Sequence, residues 1–261
     1  MELPEFVSLA ASAGFGGADV DLAWAVEHGE NALADLYAGH KMSFGGWGPR
    51  FDWRGDNRNQ KDDLAGLAAQ AKIASKLGID SCCTWLLPSS DLALHQNWHF
   101  HVMRLAPIAK VLGEHGLKFG LEFVAPYHLR RKWKHEFVFT PMAVLELAGD
   151  VGPNVGLLVD CFHLHAAGEP MDVIRRIPAD KIVLVHLNDA PTGRLEEVED
   201  GKRVLPGEGV IDLKQFFAEL NAVGYRGPIS LEVFSEKLKA LPAEEAARRA
   251  WIATRSVINL K

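Results

Sequence analysis

Four residues that could do chemistry together stand at matching places in this chain. LKFGLEF stops at Glu122, NVGLLVD at Asp160 and KIVLVH at His186, and GPISLEVF carries Glu232. Each is a short apolar run rich in Val, Leu, Ile or Phe that meets an ionisable residue at or near its end. Buried parallel strands read as such runs, and in a (β/α)₈ barrel the chemistry sits at the C-terminal ends of the strands. Neighbouring strands lie about 4.8 Å apart, so four adjacent ends can converge on one ion. Three carboxylates and an imidazole packed together would repel one another without a cation. This donor set favours one divalent metal ion, with Mn²⁺ expected first, Mg²⁺ or Co²⁺ next and Zn²⁺ as a further choice.

The elements that must position these four follow from periodicity. Side chains alternate along a strand, so Lys118, Gly120 and Glu122 share a face, as do Gly156, Leu158 and Asp160, then Ile182, Leu184 and His186, and finally Ser230 and Glu232. Gly120, Gly156 and Ser230 thus share faces with the polar ends, as a narrow barrel interior with a ligand cluster at its rim requires. Earlier strands are expected at 17–22, 41–46 and 79–87. Helices are expected at 4–13, 23–38, 61–77, within 91–115, at 141–148, near 170–176, at 213–223 and at 243–257. Strand and helix alternate throughout, which predicts an α/β fold of the (β/α)₈ TIM-barrel type. Seven strands are evident rather than eight, and the chain opens on a helix. The first barrel strand is therefore expected to be missing, or vestigial in residues 1–3.

Composition fits this architecture. The 261 residues suit a single barrel domain over 1–261. With 48% hydrophobic and 24% charged residues the chain reads as globular. A net charge of −6 without a basic stripe argues against a nucleic-acid partner. Three cysteines (Cys82, Cys83, Cys161) cannot make a disulfide framework, which points to a reducing cytoplasm. MELPEFVSLAASAGFGG lacks a basic leader and a long apolar core, so no signal peptide is expected, and no run approaches a membrane span.

The pattern GLEF…LLVDCFHLH…VLVHLNDAP…LPGEGVIDL…GYRGPISLEVF resembles the xylose-isomerase-like superfamily of sugar-phosphate isomerases and epimerases. Within it, the likeness is to the branch near inosose dehydratase, hydroxypyruvate isomerase and ketose 3-epimerases. It covers the chain from Ala13 onward and is most specific over 120–234. The resemblance implies a divalent metal held by Glu122, Asp160, His186 and Glu232, with Glu122 and Glu232 as the acid/base pair that moves a proton. His163, in the Asp-x-x-His step, matches a residue that contacts substrate oxygens, and Arg203 has a similar place in the pattern. Asn188 and His128 join the substrate-binding candidates. The sequence departs from the epimerases at His128, where they carry a further glutamate six residues after the first ligand.

The loop above Glu122 carries Arg130, Arg131, Lys132 and Lys134, which are either a solvated face or a clamp for a substrate phosphate or carboxylate; Arg130 is the leading candidate. Trp85, with Trp47, Trp53 and Phe162, is either rim packing or an aromatic wall for a sugar ring. Gly207 and Gly209 read as turn residues leading to a helix cap at Asp212. The function expected is metal-dependent isomerisation or epimerisation of a small polyhydroxy carbonyl compound. A dehydratase on the same scaffold is the nearest rival, and an auxiliary non-catalytic subunit another. Endonuclease IV shares the barrel but needs a three-metal cluster with further histidines and an Asp-x-His pair; 41–46 and 79–87 carry no histidine and 189–210 no such pair. The partner expected is a small-molecule substrate, with no nucleic acid or membrane, in a homo-oligomer.

Overall fold

The computed structural model describes residues 1–55 and 58–258. Positions 56 and 57 of the Trp- and Gly-rich loop lie outside the described residues. Seven parallel strands form the barrel wall: β1 (Gly17–Ala18), β2 (Ser43–Phe44), β3 (Ser81–Leu86), β4 (Lys118–Phe123), β5 (Val155–Asp160), β6 (Ile182–Leu187) and β7 (Ile229–Leu231). The last five form one parallel sheet in chain order, and β1 pairs with β2. The two sheets join at Trp47, whose N–H donates to the Ser81 carbonyl (3.0 Å) and whose carbonyl accepts from the Cys83 N–H (2.8 Å). Every residue of β5 and β6 is buried, as uninterrupted apolar runs with helices behind them should be.

Between β7 and β1 there is no ladder among the described residues. The contact is a side-chain hydrogen bond, Ser230 Oγ to Asp19 Oδ1 at 2.7 Å. Behind this seam lies a cleft of about 470 Å³ lined by Phe6, Phe15, Ile229 and Trp251 among others, between helices Leu3–Ala13 and Ala243–Ile258. The first strand that the sequence predicts to be missing or vestigial would fall at this seam. Residues 1–3 do not fill it, since Leu3 already begins the first helix.

Local chemistry explains where the expected boundaries moved. The stretch 23–38 is two helices, Leu22–His28 and Glu30–Gly39, broken at Gly29 with φ 95°. Asp21 caps the first by accepting from the N–H groups of Ala23 and Trp24, which also cuts the preceding strand short. The segment after β4 contains the short helix Tyr127–Arg130 and an antiparallel pair, His135–Glu136 with Ser89–Ser90. Helix Cys161–Ala167 was not anticipated. It starts immediately after β5 because Asp160 is its N-cap, and it stops at Gly168 with φ 72°.

Helix Leu94–Glu114 carries His101, which is 5% exposed, stacked on Phe137 and edge-on to Trp53. Burial lowers its pKa to about 4 against the partial support of the Asn97 carbonyl. The unfolded chain protonates this imidazole near pH 6.5 and the folded one does not, so stability is full above that pH and lost as pH falls toward 4. Urea unfolding should show about 2 kcal/mol lost between pH 7 and 5 from this group alone. The difference should vanish in His101→Gln; an unchanged pH slope in that variant would assign the loss elsewhere.

A candidate metal centre at the strand ends

Each of the four strand-end residues arrives by a different local route. Glu122 is 7% exposed within β4, and Asp160 is fully buried as the last residue of β5. His186 lies in β6 opposite Asp160 on one side and Ser230 on the other. Glu232 follows β7 directly, its N–H donating to the Leu187 carbonyl at 3.1 Å. One ligand atom from each of the four falls within 4.8 Å of all the others. His186 Nδ1 stands 3.4 Å from Glu232 Oε2, 3.6 Å from Glu122 Oε1 and 3.8 Å from Asp160 Oδ2. The space at this rim depends on glycine: a Cβ on Gly120 would lie 2.6 Å from Cys83 Sγ.

The donor set fits a divalent ion on an observation independent of residue type. Glu122 Oε1 and His186 Nδ1 are buried and have no hydrogen-bond partner among the described residues, and buried polar atoms are rarely left so unless an ion or water meets them. Burial works against a charge on His186, but Glu122 and Glu232 beside it more than reverse this and raise its pKa well above the ordinary value. Glu232 shows the complement: burial pulls its pKa up, while His186 and Arg203 bring it below the usual carboxylate range.

Around the quartet sits a second set of contacts. Asp160 Oδ1 accepts from the N–H groups of Phe162 and His163, and the Asn188 amide donates to both Asp160 oxygens at 3.0 Å. Arg203 is 1% exposed. Its Nη1 donates to Asp160 Oδ2 (2.8 Å) and Glu232 Oε2 (3.0 Å), and its Nη2 to Asp200 Oδ1 (2.7 Å). The guanidinium lies between the rings of Phe162 and Phe234. His163 Nε2 is 3.2 Å from Arg203 Nη2 and 3.9 Å from Glu122 Oε1. Thus His163, Asn188 and Arg203 all join the constellation, but Asn188 and Arg203 are fully engaged in holding Asp160 and Glu232.

The remaining candidates lie farther out. Trp85, 46% exposed, lines the cavity of about 320 Å³ that also contacts Glu122, His186 and Glu232. Arg130 is bound to Glu136 Oε2 (2.7 Å) and packed on the Phe139 ring at 3.6 Å. His128 is exposed on the same short helix, close enough for its charge to act on Glu199 in the 189–209 loop. Neither His128 nor Arg130 is among the residues lining that cavity. Sequence reasoning missed Asp200, for which the Asp-x-x-Arg spacing was the available signal, and Asp19, whose strand also ends on an acid.

The loop that carries Arg203 is fixed by Asp189. Its carboxylate accepts from the N–H groups of Ala190, Gly207, Gly209 and Ile211 at 2.8–3.0 Å. Gly209 permits this approach, since a Cβ there would stand 2.2 Å from the Ala190 carbonyl. Asp212 caps the next helix by accepting from the Gln215 N–H, as its spacing predicted. Asp189→Ala strands four donors and should cost about 2–4 kcal/mol in urea unfolding; a change below about 0.5 kcal/mol, the ordinary range for a surface substitution, would show that the loop does not depend on it.

A curled parallel sheet with carboxylates and an imidazole at its C-terminal edge defines a class. Residues 7–255 match the family described as xylose isomerase-like TIM barrel, and the chain belongs to it. A xylose isomerase domain protein from Alicyclobacillus acidocaldarius is similar over all of this chain and 94% of its own, with TM-score 0.90 and 30% identity. Among curated relatives, an inosose isomerase of Halalkalibacterium halodurans is 31% identical over 59% of this chain and 53% of its own length. A 3-dehydroshikimate dehydratase of Pseudomonas putida is 28% identical over 94% of this chain and 38% of its own. The chain therefore spans about half or less of the length of these two relatives. The IOLI protein, solved with a zinc atom bound, shares the fold at TM-score 0.79 and 23% identity. By name, the two curated relatives are enzymes, an isomerase and a dehydratase. No helix among the described residues is long and apolar enough to cross a membrane.

Proposed function

We propose that this protein is a divalent-metal-dependent isomerase or epimerase of a small polyhydroxy carbonyl compound, with Mn²⁺ as the ion expected to serve best. The observation that carries the reading is that Glu122, His186 and Glu232 line one cavity with both glutamates close to His186 Nδ1, while the buried Asp160 stands 3.8 Å from the same nitrogen. Glu122, Asp160, His186 and Glu232 would hold the ion. When bound, it would polarise a substrate carbonyl and acidify the adjacent C–H.

The chain's own residues divide the remaining work. Arg203 and Asn188 fix Asp160, and Arg203 also holds one Glu232 oxygen. One glutamate then removes a proton from carbon, and the other, or the same one, returns it. Return to the opposite face of the same carbon gives an epimer; return to the neighbouring carbon gives an isomer. His163, buried beside Glu122, remains the candidate to steady a substrate oxygen, and Trp85, on the cavity wall, the candidate apolar surface.

The dehydratase relative matches nearly the whole chain, which favours a second reading, loss of a β-hydroxyl as water after the same proton abstraction. Incubation with inososes and with 3-dehydroshikimate, each with and without Mn²⁺, separates the two. Isomerisation conserves mass and takes deuterium from ²H₂O into a C–H position, whereas dehydration loses 18 mass units (about 18 Da, one water) and creates a conjugated chromophore. Protein that binds no metal and alters neither class of substrate would sink both readings.

A further inference from the structure

Asp19 lines the same cavity as Glu122, His186 and Glu232, yet it belongs neither to the quartet nor to the Arg203 network. It is an exposed acid held more firmly than a solvated one needs to be. Its Oδ1 accepts from the Gly46 N–H (2.9 Å) and from Ser230 Oγ (2.7 Å). Its backbone carbonyl accepts from the Tyr37 hydroxyl at 2.8 Å. Gly45 makes room for it, because a Cβ there would stand 2.4 Å from Oδ1. The second carboxylate oxygen, Oδ2, has no hydrogen-bond partner among the described residues. Arg50, the cation on this cavity wall, is paired with Asp21 instead.

A carboxylate with one oxygen anchored and the other open to a cavity can only accept hydrogen bonds. It suits a hydroxyl and repels a second anion. We infer that Asp19 is a specificity-determining residue whose free oxygen accepts a hydrogen bond from a hydroxyl of the substrate seated at the quartet. This rests on the function proposed above and narrows the substrate class: the part of the molecule facing β1 and β7 is hydroxylated and uncharged, and a carboxylate, if the substrate has one, points away from that seam. A cavity of about 320 Å³ has room for one small ring in this orientation.

The competing role for Asp19 is purely structural, tying β7 to β1 where no ladder joins them among the described residues. The test separates the two with a probe that does not react. Binding of myo-inositol and of its monodeoxy derivatives to Mn²⁺-equilibrated protein is measured by titration calorimetry in the wild type, D19A, D19N and S230A, with metal content determined on the same samples. A charge-assisted hydrogen bond predicts that one deoxy derivative binds the wild type about 10–100-fold more weakly than myo-inositol. That preference should disappear in D19A and fall in D19N, where an uncharged amide nitrogen that donates replaces the accepting oxygen. D19N keeps an oxygen acceptor for Gly46 and Ser230, so the loss there is not a loss of the seam. S230A, which removes the seam bond, should keep the preference.

Three results overturn the inference: D19A or D19N with the wild-type preference intact, S230A losing it as D19A does, or a wild type that binds none of these polyols at millimolar concentration. Normal metal content together with an unaltered preference in D19A refutes the role of Asp19 alone. Absence of metal from the wild type refutes the proposed function instead.

Discussion

Glu122→Gln and Glu232→Gln should each lower turnover by about 10²–10⁴-fold, the range for removing a positioned acid or base. The amide keeps the size of the carboxyl and removes both its negative charge and its basicity. Both glutamates lie within 3.6 Å of His186 Nδ1, so each change also takes an anionic donor from the ion's place, and bound metal should fall with it. Elemental analysis of purified protein, read beside kcat on the substrate identified in the inosose and dehydroshikimate screen, gives the two effects separately. A variant that keeps metal content and kcat within about twofold of wild type, a difference of under 0.5 kcal/mol, would remove that glutamate from the site's chemistry.

Arg203→Met should destabilise the metal-free protein by about 3–5 kcal/mol, because it leaves Asp160 buried without its cation. Asp160 is fully buried. Burial pulls its pKa up, but Arg203, with His163, His186 and the Asn188 amide, brings it below the ordinary value. A carboxyl with a depressed pKa contributes stability above its ordinary pKa and loses it as pH falls through the folded value. The gap between wild type and Arg203→Met should therefore be widest near neutrality and narrow in acid. Added Mn²⁺ supplies a replacement positive charge and binds only the folded form, so it should recover part of the loss in a concentration-dependent way. Urea unfolding at several pH values, with and without Mn²⁺, tests both points. Equal stability of variant and wild type at pH 7 would show that the guanidinium is not the cation Asp160 needs.

The contrast between these two predictions comes from geometry that a linear reading could only partly reach. Glu122, Asp160, His186 and Glu232 were legible because an apolar run closing on an ionisable residue records both burial and direction of a parallel strand. The α/β barrel and its seven strands were legible for the same reason, as was the capping role of Asp212. Arg203 and Asn188 were legible as members of the site, but their engagement with Asp160 was not, since the contacts join residues 43 and 28 positions apart. Arg130 illustrates the reverse. Its charge was plain, yet Glu136 and Phe139 hold it in its own loop.

What the sequence determined by itself, then, is the repeating strand and helix pattern, the ionisable residue at four of the strand ends and the donor types available to an ion. These follow from periodicity and residue chemistry, which are local. Only the tertiary structure decided that Asp160 serves four neighbours at once, that Asp189 anchors the Arg203 loop and that Asp19 faces the same cavity as Glu232. The physical reason is that a carboxylate's role is set by which donors surround it. At Asp19 those donors come from Gly46 and from Ser230, the latter 211 residues away and brought near when the last strand returns to the first.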